Sequence, residues 1–188
     1  MVSDLTRGIS ASRPIESGVI TDAGLVGLNL KSGRPDAPID LGVPGTDLAT
    51  TDQRAYVVSR GASAVVSIDL VERSVVAQSN VADARALAVS NEVWVVTGSE
   101  LVALAGEQLE ETARIPIRLP CTVAAEGDRV FVSAAQPVLT EVDAKTHQVS
   151  RVITDANSEC ADIHVAFGSI WLSDNVRDVV YRVPLMGR

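Results

Sequence analysis

Lysine is almost missing from this chain. Lys31 and Lys145 are the only two in 188 residues, and no Lys/Arg cluster forms anywhere along it. With a formal net charge of −8, the surface would repel phosphate backbones, which excludes a nucleic-acid binder of the usual basic kind. No run approaches the roughly 20 apolar residues that a membrane-spanning helix needs, so membrane insertion is not expected. Met1 to Ser12 carries no apolar core of the type that drives secretion. Aromatic residues are only 3% of the chain, too few for a surface built on sugar or base stacking. Histidine occurs twice, at His147 and His164, and cysteine twice, at Cys121 and Cys160. Two cysteines with no histidine beside them do not make a zinc site.

What is present is short, Val-rich and repetitive. Hydrophobic residues are 46% and charged residues 21%, a globular balance. β-branched side chains in short alternating runs point to strands. Strand, tight turn, strand recurs at Arg54–Asp69, Glu92–Ala105, Asp128–Asp143 and Gly168–Val183, with an earlier copy at Ser17–Asn29. Tyr56, Trp94, Phe131 and Trp171 share one register, in which Val19 takes the place of the aromatic in the first copy. A second column holds Leu28, Ile68, Leu104, Val142 and Val183, stepping by 40, 36, 38 and 41 residues. Equivalent columns at a fixed period signal repeated structural units.

Further short strands flank each copy. Asp47–Thr50, Ala84–Val89, Thr122–Ala125 and Asp162–Ala166 precede the aromatic strand. Ala37–Leu41, Ser74–Ala77, Leu109–Ile115 and Val149–Ile153 follow the second column. Four short strands per repeat predict an all-β fold, a β-propeller of about five four-stranded blades in one domain. The repeats are expected near residues 8–44, 45–81, 82–117, 118–156 and 157–188. The last copy lacks an outer strand, for which Met1 to Thr6 is the candidate, with Gly8 to Ser12 as the innermost strand of the first blade. An unclosed ring would leave strand edges that invite association, so an oligomer, or a half-propeller assembling with a second copy, is the alternative.

Ala55–Asp69 and Gly168–Val183 resemble blades of the YVTN/streptogramin-lyase-like (NHL-type) propeller superfamily. The resemblance covers most of the chain at the level of the blade. It implies a propeller fold and a group that includes sensor domains, cell-surface binding modules and a few enzymes. The lyase branch is implied to use a histidine-centred, magnesium-dependent site. His147 falls in the Ala144–Gln148 turn, away from the channel, which departs from that pattern.

Propellers take ligands at the central channel or on the loops of one face. The segments leading into the innermost strands supply Asp47, Asp83, Arg85, Asp162 and His164 as ligand-binding candidates, with Cys121 and Glu159 nearby. Asp47, Asp83 and Asp162 around the axis could hold a divalent cation through oxygen ligands. They could equally supply the paired carboxylates of a glycosidase. Asp162 and His164 fall on the same face of a strand, the spacing an acid–base pair would need. No complete catalytic constellation and no nucleophile motif is present. The leading expectation is therefore a non-catalytic binding or sensor module with a protein or small-molecule partner. A small propeller enzyme, either a glycoside hydrolase or a metal-assisted lyase, is the alternative. Arg54, Arg60, Asp174, Asn175 and Arg177 are expected on exposed loops, and Trp94 and Trp171 are expected to pack between blades. Cys121 and Cys160 lie one repeat apart. They are read either as a disulfide, which would suit a bacterial extracytoplasmic protein, or as two buried thiols.

Overall fold

The computed structural model describes residues 17–22, 24–29, 34–135, 139–153, 160–174 and 178–185. The first blade contains β1 (Ser17–Thr21), β2 (Gly24–Asn29) and β3 (Arg34–Pro35). The second contains β4 (Asp47–Thr50), β5 (Arg54–Ser59), β6 (Ala64–Asp69) and β7 (Ser74–Asn80). The third contains β8 (Ala86–Val89), β9 (Val93–Val96), β10 (Glu100–Ala105) and β11 (Glu110–Pro116). The fourth contains β12 (Pro120–Glu126), β13 (Arg129–Ala134), β14 (Leu139–Asp143) and β15 (Gln148–Ile153). The fifth contains β16 (Asp162–Ala166), β17 (Ser169–Asp174) and β18 (Val179–Pro184). Each blade is an antiparallel meander in chain order, and among the described residues no helix occurs.

Period-2 alternation puts successive side chains on opposite faces of each blade, and in the second, third and fourth blades both faces are buried against neighbouring blades. Four apolar clusters result, each shared by two consecutive blades. Leu25, Ile39 and Leu41 of the first blade meet Val57, Val66 and Ile68 of the second. Val58 and Val65 on the opposite face of that second blade meet Leu87, Val95, Val102 and Leu104. Trp94, Val96 and Leu101 then meet Val123, Val130, Val132 and Val142. Phe131 and Leu139 finally meet Ile163, Ile170 and Leu172. Each four-stranded blade thus has a rear face toward the preceding blade and a forward face toward the next. Continuous apolar runs such as Val93–Val96, buried throughout, follow from this two-sided packing.

The repeat extends to backbone irregularities. A register shift separates the third and fourth strands at Ser67/Ile68, Ala103/Leu104 and Glu141/Val142. The turn before each of these fourth strands holds a residue with left-handed φ, namely Arg73, Leu109 and His147, at 54°, 57° and 56°. Asp69 and Asp143 brace two of these turns by accepting backbone amides with their carboxylates, from Val71 and Glu72 and from Lys145 and Thr146.

The first blade departs from expectation in two ways. Ser17 pairs with Leu28 as Ala55 pairs with Ile68, so Gly18, and not Val19, occupies the aromatic's register. The expected outer strand at 37–41 is a single bridge from Ile39 to Leu25, and the third strand is Arg34–Pro35. Gly24 permits this close approach. Its φ is +119°, and a Cβ there would lie 2.1 Å from the Ile39 carbonyl oxygen. The expected closing strand at 1–6 and innermost strand at 8–12 lie outside the described residues, as do Glu159, Asn175 and Arg177.

Candidate site at the channel mouth

The innermost strands β4, β8, β12 and β16 pack side by side in chain order. Where they begin, a cavity of about 490 Å³ opens. Its ionisable lining is Asp47, Arg60, Arg85, Asp162 and His164, and the remaining wall includes Thr46, Pro120, Thr122, Cys121 and Cys160. Four of the five sequence-derived ligand candidates therefore share one cavity. The fifth, Asp83, stands beside it and is joined to Arg85 through both carboxylate oxygens, at 3.2 and 2.7 Å. Those hydrogen bonds, helped by the charges of Arg85 and Arg60, hold the Asp83 carboxyl below the usual carboxylate range. Gly98 keeps room for the pair, since a Cβ there would meet the Asp83 carboxylate at 2.3 Å.

Asp47 has a different role from the one its position suggests. Pairing of Asp47 with Val58, Ala86 with Val96, Thr122 with Ser133 and Asp162 with Ser173 places these four in one column. The Asp47 Oδ2 accepts the backbone N–H of Leu87, on the next blade's inner strand, at 2.8 Å. Its Oδ1 accepts the amide of Leu48 at 2.9 Å. Thr122 does the converse two blades on, donating its hydroxyl to the Ala161 carbonyl at 3.1 Å, where the Ser133 hydroxyl also donates at 2.6 Å. Positions in this column thus fasten one inner strand to the next. Replacing Asp47 by Ala leaves the buried-strand amide of Leu87 without its acceptor and should cost roughly 1–3 kcal/mol of stability. Urea unfolding measures that loss, and amide exchange should show Leu87 opening first. Asp47→Asn, which keeps one carbonyl oxygen, should recover part of it.

The three acids do not form a cation site. Among the described residues no group of three His, Cys, Asp or Glu side chains is placed to hold a metal ion. Asp83 is held by a guanidinium and Asp47 by backbone amides, so the expected oxygen cluster is dispersed by hydrogen bonding. Arg60 and Asp162 differ from them. Both are exposed, and among the described residues neither side chain has a hydrogen-bond or ion-pair partner, although the Arg60 charge acts on Asp83 and its backbone N–H bonds the Thr46 hydroxyl. They stand on the second and fifth blades, on separate parts of the cavity wall. Arg60 was expected only as a loop residue. It sits in the β5–β6 turn, and only the blade geometry turns that loop toward the mouth.

Cys121 and Cys160 form a disulfide across consecutive blades, so the reading as two free thiols does not hold. Pro120 pairs with Ala134 and Thr122 with Ser133, leaving Cys121 as the extra residue of a bulge. Such a bulge re-aims a side chain, here toward the segment leading into β16. The other exposed-loop expectations divide. Arg54 is half-buried and bridges Asp69 and Glu107 at 3.4 and 3.2 Å, while Asp174 is buried at the end of β17. His147 lies away from the channel, as expected. Its ring hydrogen-bonds Glu92 of the preceding blade at 2.8 Å and stands edge-on to Trp94 at 5.6 Å.

No family model matches the chain, and no curated protein matches it by sequence. Solved structures match it by fold. A functionally unknown protein from Desulfotomaculum acetoxidans superposes with a TM-score of 0.74 at 12% identity, over 90% of this chain and 62% of that one. Sqt1 from Saccharomyces cerevisiae gives 0.72 at 12%, over 89% and 55%. BamB from Moraxella catarrhalis gives 0.70 at 16%, over 91% and 55%. The chain therefore spans a little over half the length of the structures it resembles, and the likeness establishes the β-propeller fold.

Proposed function

We propose that this chain is a non-catalytic binding module, a propeller of the YVTN-like kind that takes a partner at the channel mouth. The observation that supports it is the division of labour among the mouth's polar groups. Asp47 and Asp83 are committed to backbone amides and to Arg85, whereas the side chains of Arg60 and Asp162 have no hydrogen-bond or ion-pair partner among the described residues. A cavity presenting one uncommitted cation and one uncommitted anion suits a ligand carrying both signs, such as a peptide segment with an acidic and a basic side chain. Polar groups of this type fix orientation, while the concave wall supplies contact area. Nucleophile–base geometry plays no part in this reading.

Peptide display against the immobilised chain provides the test. Selected peptides should lose affinity roughly tenfold or more on Arg60→Glu or Asp162→Arg. They should bind Glu126→Arg as they bind the parent, because Glu126 lies at the far end of β12. Binders indifferent to Arg60 and Asp162, or a library yielding none, would overturn the reading.

A further inference from the structure

We infer that the forward face of the last blade is an interface for a second copy of this chain, joined head to tail to that copy's first blade. The argument begins with the column of Val65, Leu101, Leu139 and Val180. Each of these pairs with the equivalent residue of the strand before it, with Val58, Val96, Ser133 and Ser173 respectively. The first three are 0%, 0% and 1% exposed, because the next blade covers them, whereas Val180 is 65% exposed. In the aromatic column Trp94 and Phe131 are fully buried, while Tyr56 and Trp171 are partly exposed, and on the last blade the Arg182 guanidinium stands 5.6 Å from the Trp171 ring centre. The fifth blade thus carries the forward-face pattern of the others, with no blade against it among the described residues.

The complementary surface belongs to the same chain. Rear faces are built from the positions of Val57 and Val66, which are fully buried in the second blade. Their equivalents in the first blade are Val19 and Val26, a directly paired couple that remains half-exposed. Among the described residues no apolar cluster joins the first blade to the fifth. Nearly the whole chain superposes on just over half of longer propeller structures, as consecutive blades of a larger ring do. Face-to-face blade packing already forms four times within the chain. A fifth instance between copies would bury the same kinds of residue in the same register. Such an interface is heterologous, with each copy using a different patch.

Sedimentation equilibrium over a wide concentration range tests this. The parent chain should self-associate. Val180→Asp and Val26→Asp should each weaken association roughly tenfold or more, since each sets a carboxylate into an apolar interface. Both sites are partly or largely exposed within one copy, so the monomer's thermal unfolding should change little. The mixture is decisive. Val180→Asp keeps an intact first blade and Val26→Asp an intact last blade, so mixing the two should restore one interface and yield a one-to-one heterodimer. A parent chain that stays monomeric throughout overturns the inference, as does a mixture that fails to restore association. Neither substitution touches Arg60 or Asp162, so failure here leaves the peptide-binding reading standing.

Discussion

Breaking the Cys121–Cys160 bond is expected to lower the unfolding free energy by about 4 kcal/mol. The two cysteines are 39 residues apart in sequence. Closing a loop of that length removes chain entropy from the unfolded ensemble, between the roughly 3 kcal/mol of a 15-residue loop and the 4.7 kcal/mol of a 100-residue loop. The bond also spans a whole blade, joining the start of the fourth blade's inner strand to the start of the fifth's. Local opening should therefore be felt most in the last blade, which among the described residues has a neighbour on its rear face only. Urea unfolding with and without a reductant, and of the Cys121→Ala/Cys160→Ala double variant, measures the effect. Hydrogen exchange should report loss of protection in β16–β18 before β8–β11. A change below about 1 kcal/mol would show that the apolar contact with the fourth blade alone holds the last blade. Both half-cystines line the mouth, so reduction should also loosen that wall of the cavity.

Truncating Trp94 should be nearly as costly, and truncating the equivalent Trp171 much less so. Trp94 is fully buried between the third and fourth blades, among Val130, Val132 and Val142. Trp→Ala there leaves a large cavity and should cost about 3–5 kcal/mol. Trp171 occupies the same register but is only partly buried, so its truncation should cost less than about 2 kcal/mol in the monomer. Its indole N–H does bond the Ala166 carbonyl at 3.0 Å, which accounts for part of that value. The Trp94 indole nitrogen, by contrast, has no hydrogen-bond partner among the described residues. Trp94→Phe should consequently be milder than the lost volume suggests, because it removes an unpaired buried donor. Chemical denaturation of the three variants, at a dilution that excludes self-association, gives the ordering. Equal losses at Trp94 and Trp171 would mean that the last blade is covered after all.

The repeat is what made the fold legible in the sequence. Strands from the second blade onward fall where alternation and turn residues put them, as with Asp47–Thr50, Asp162–Ala166 and the long fourth strands. The first blade was harder, because it lacks the aromatic that fixes register elsewhere, and Gly18 stands there instead. A one-residue error is then free of penalty in the sequence, although in the sheet it exchanges the two faces. The site was legible by position and illegible by role. Asp47, Arg85, Asp162 and His164 do meet at one cavity because they lead into inner strands. That Asp47 binds an amide 40 residues away, while Asp162 in the same column has no described partner, depends on whether another blade follows.

The amino-acid sequence by itself determined the strands, the period and the all-β architecture. These follow from local rules, in which side chains alternate across a strand and turns take particular residues. Only the tertiary structure decided which thiols pair, which carboxylates are consumed by neighbouring backbone, and which apolar faces remain open. Each of those outcomes depends on the groups that an adjacent blade brings within hydrogen-bond or van der Waals reach. Those groups come from about one repeat away in sequence, a distance over which no local pattern carries information.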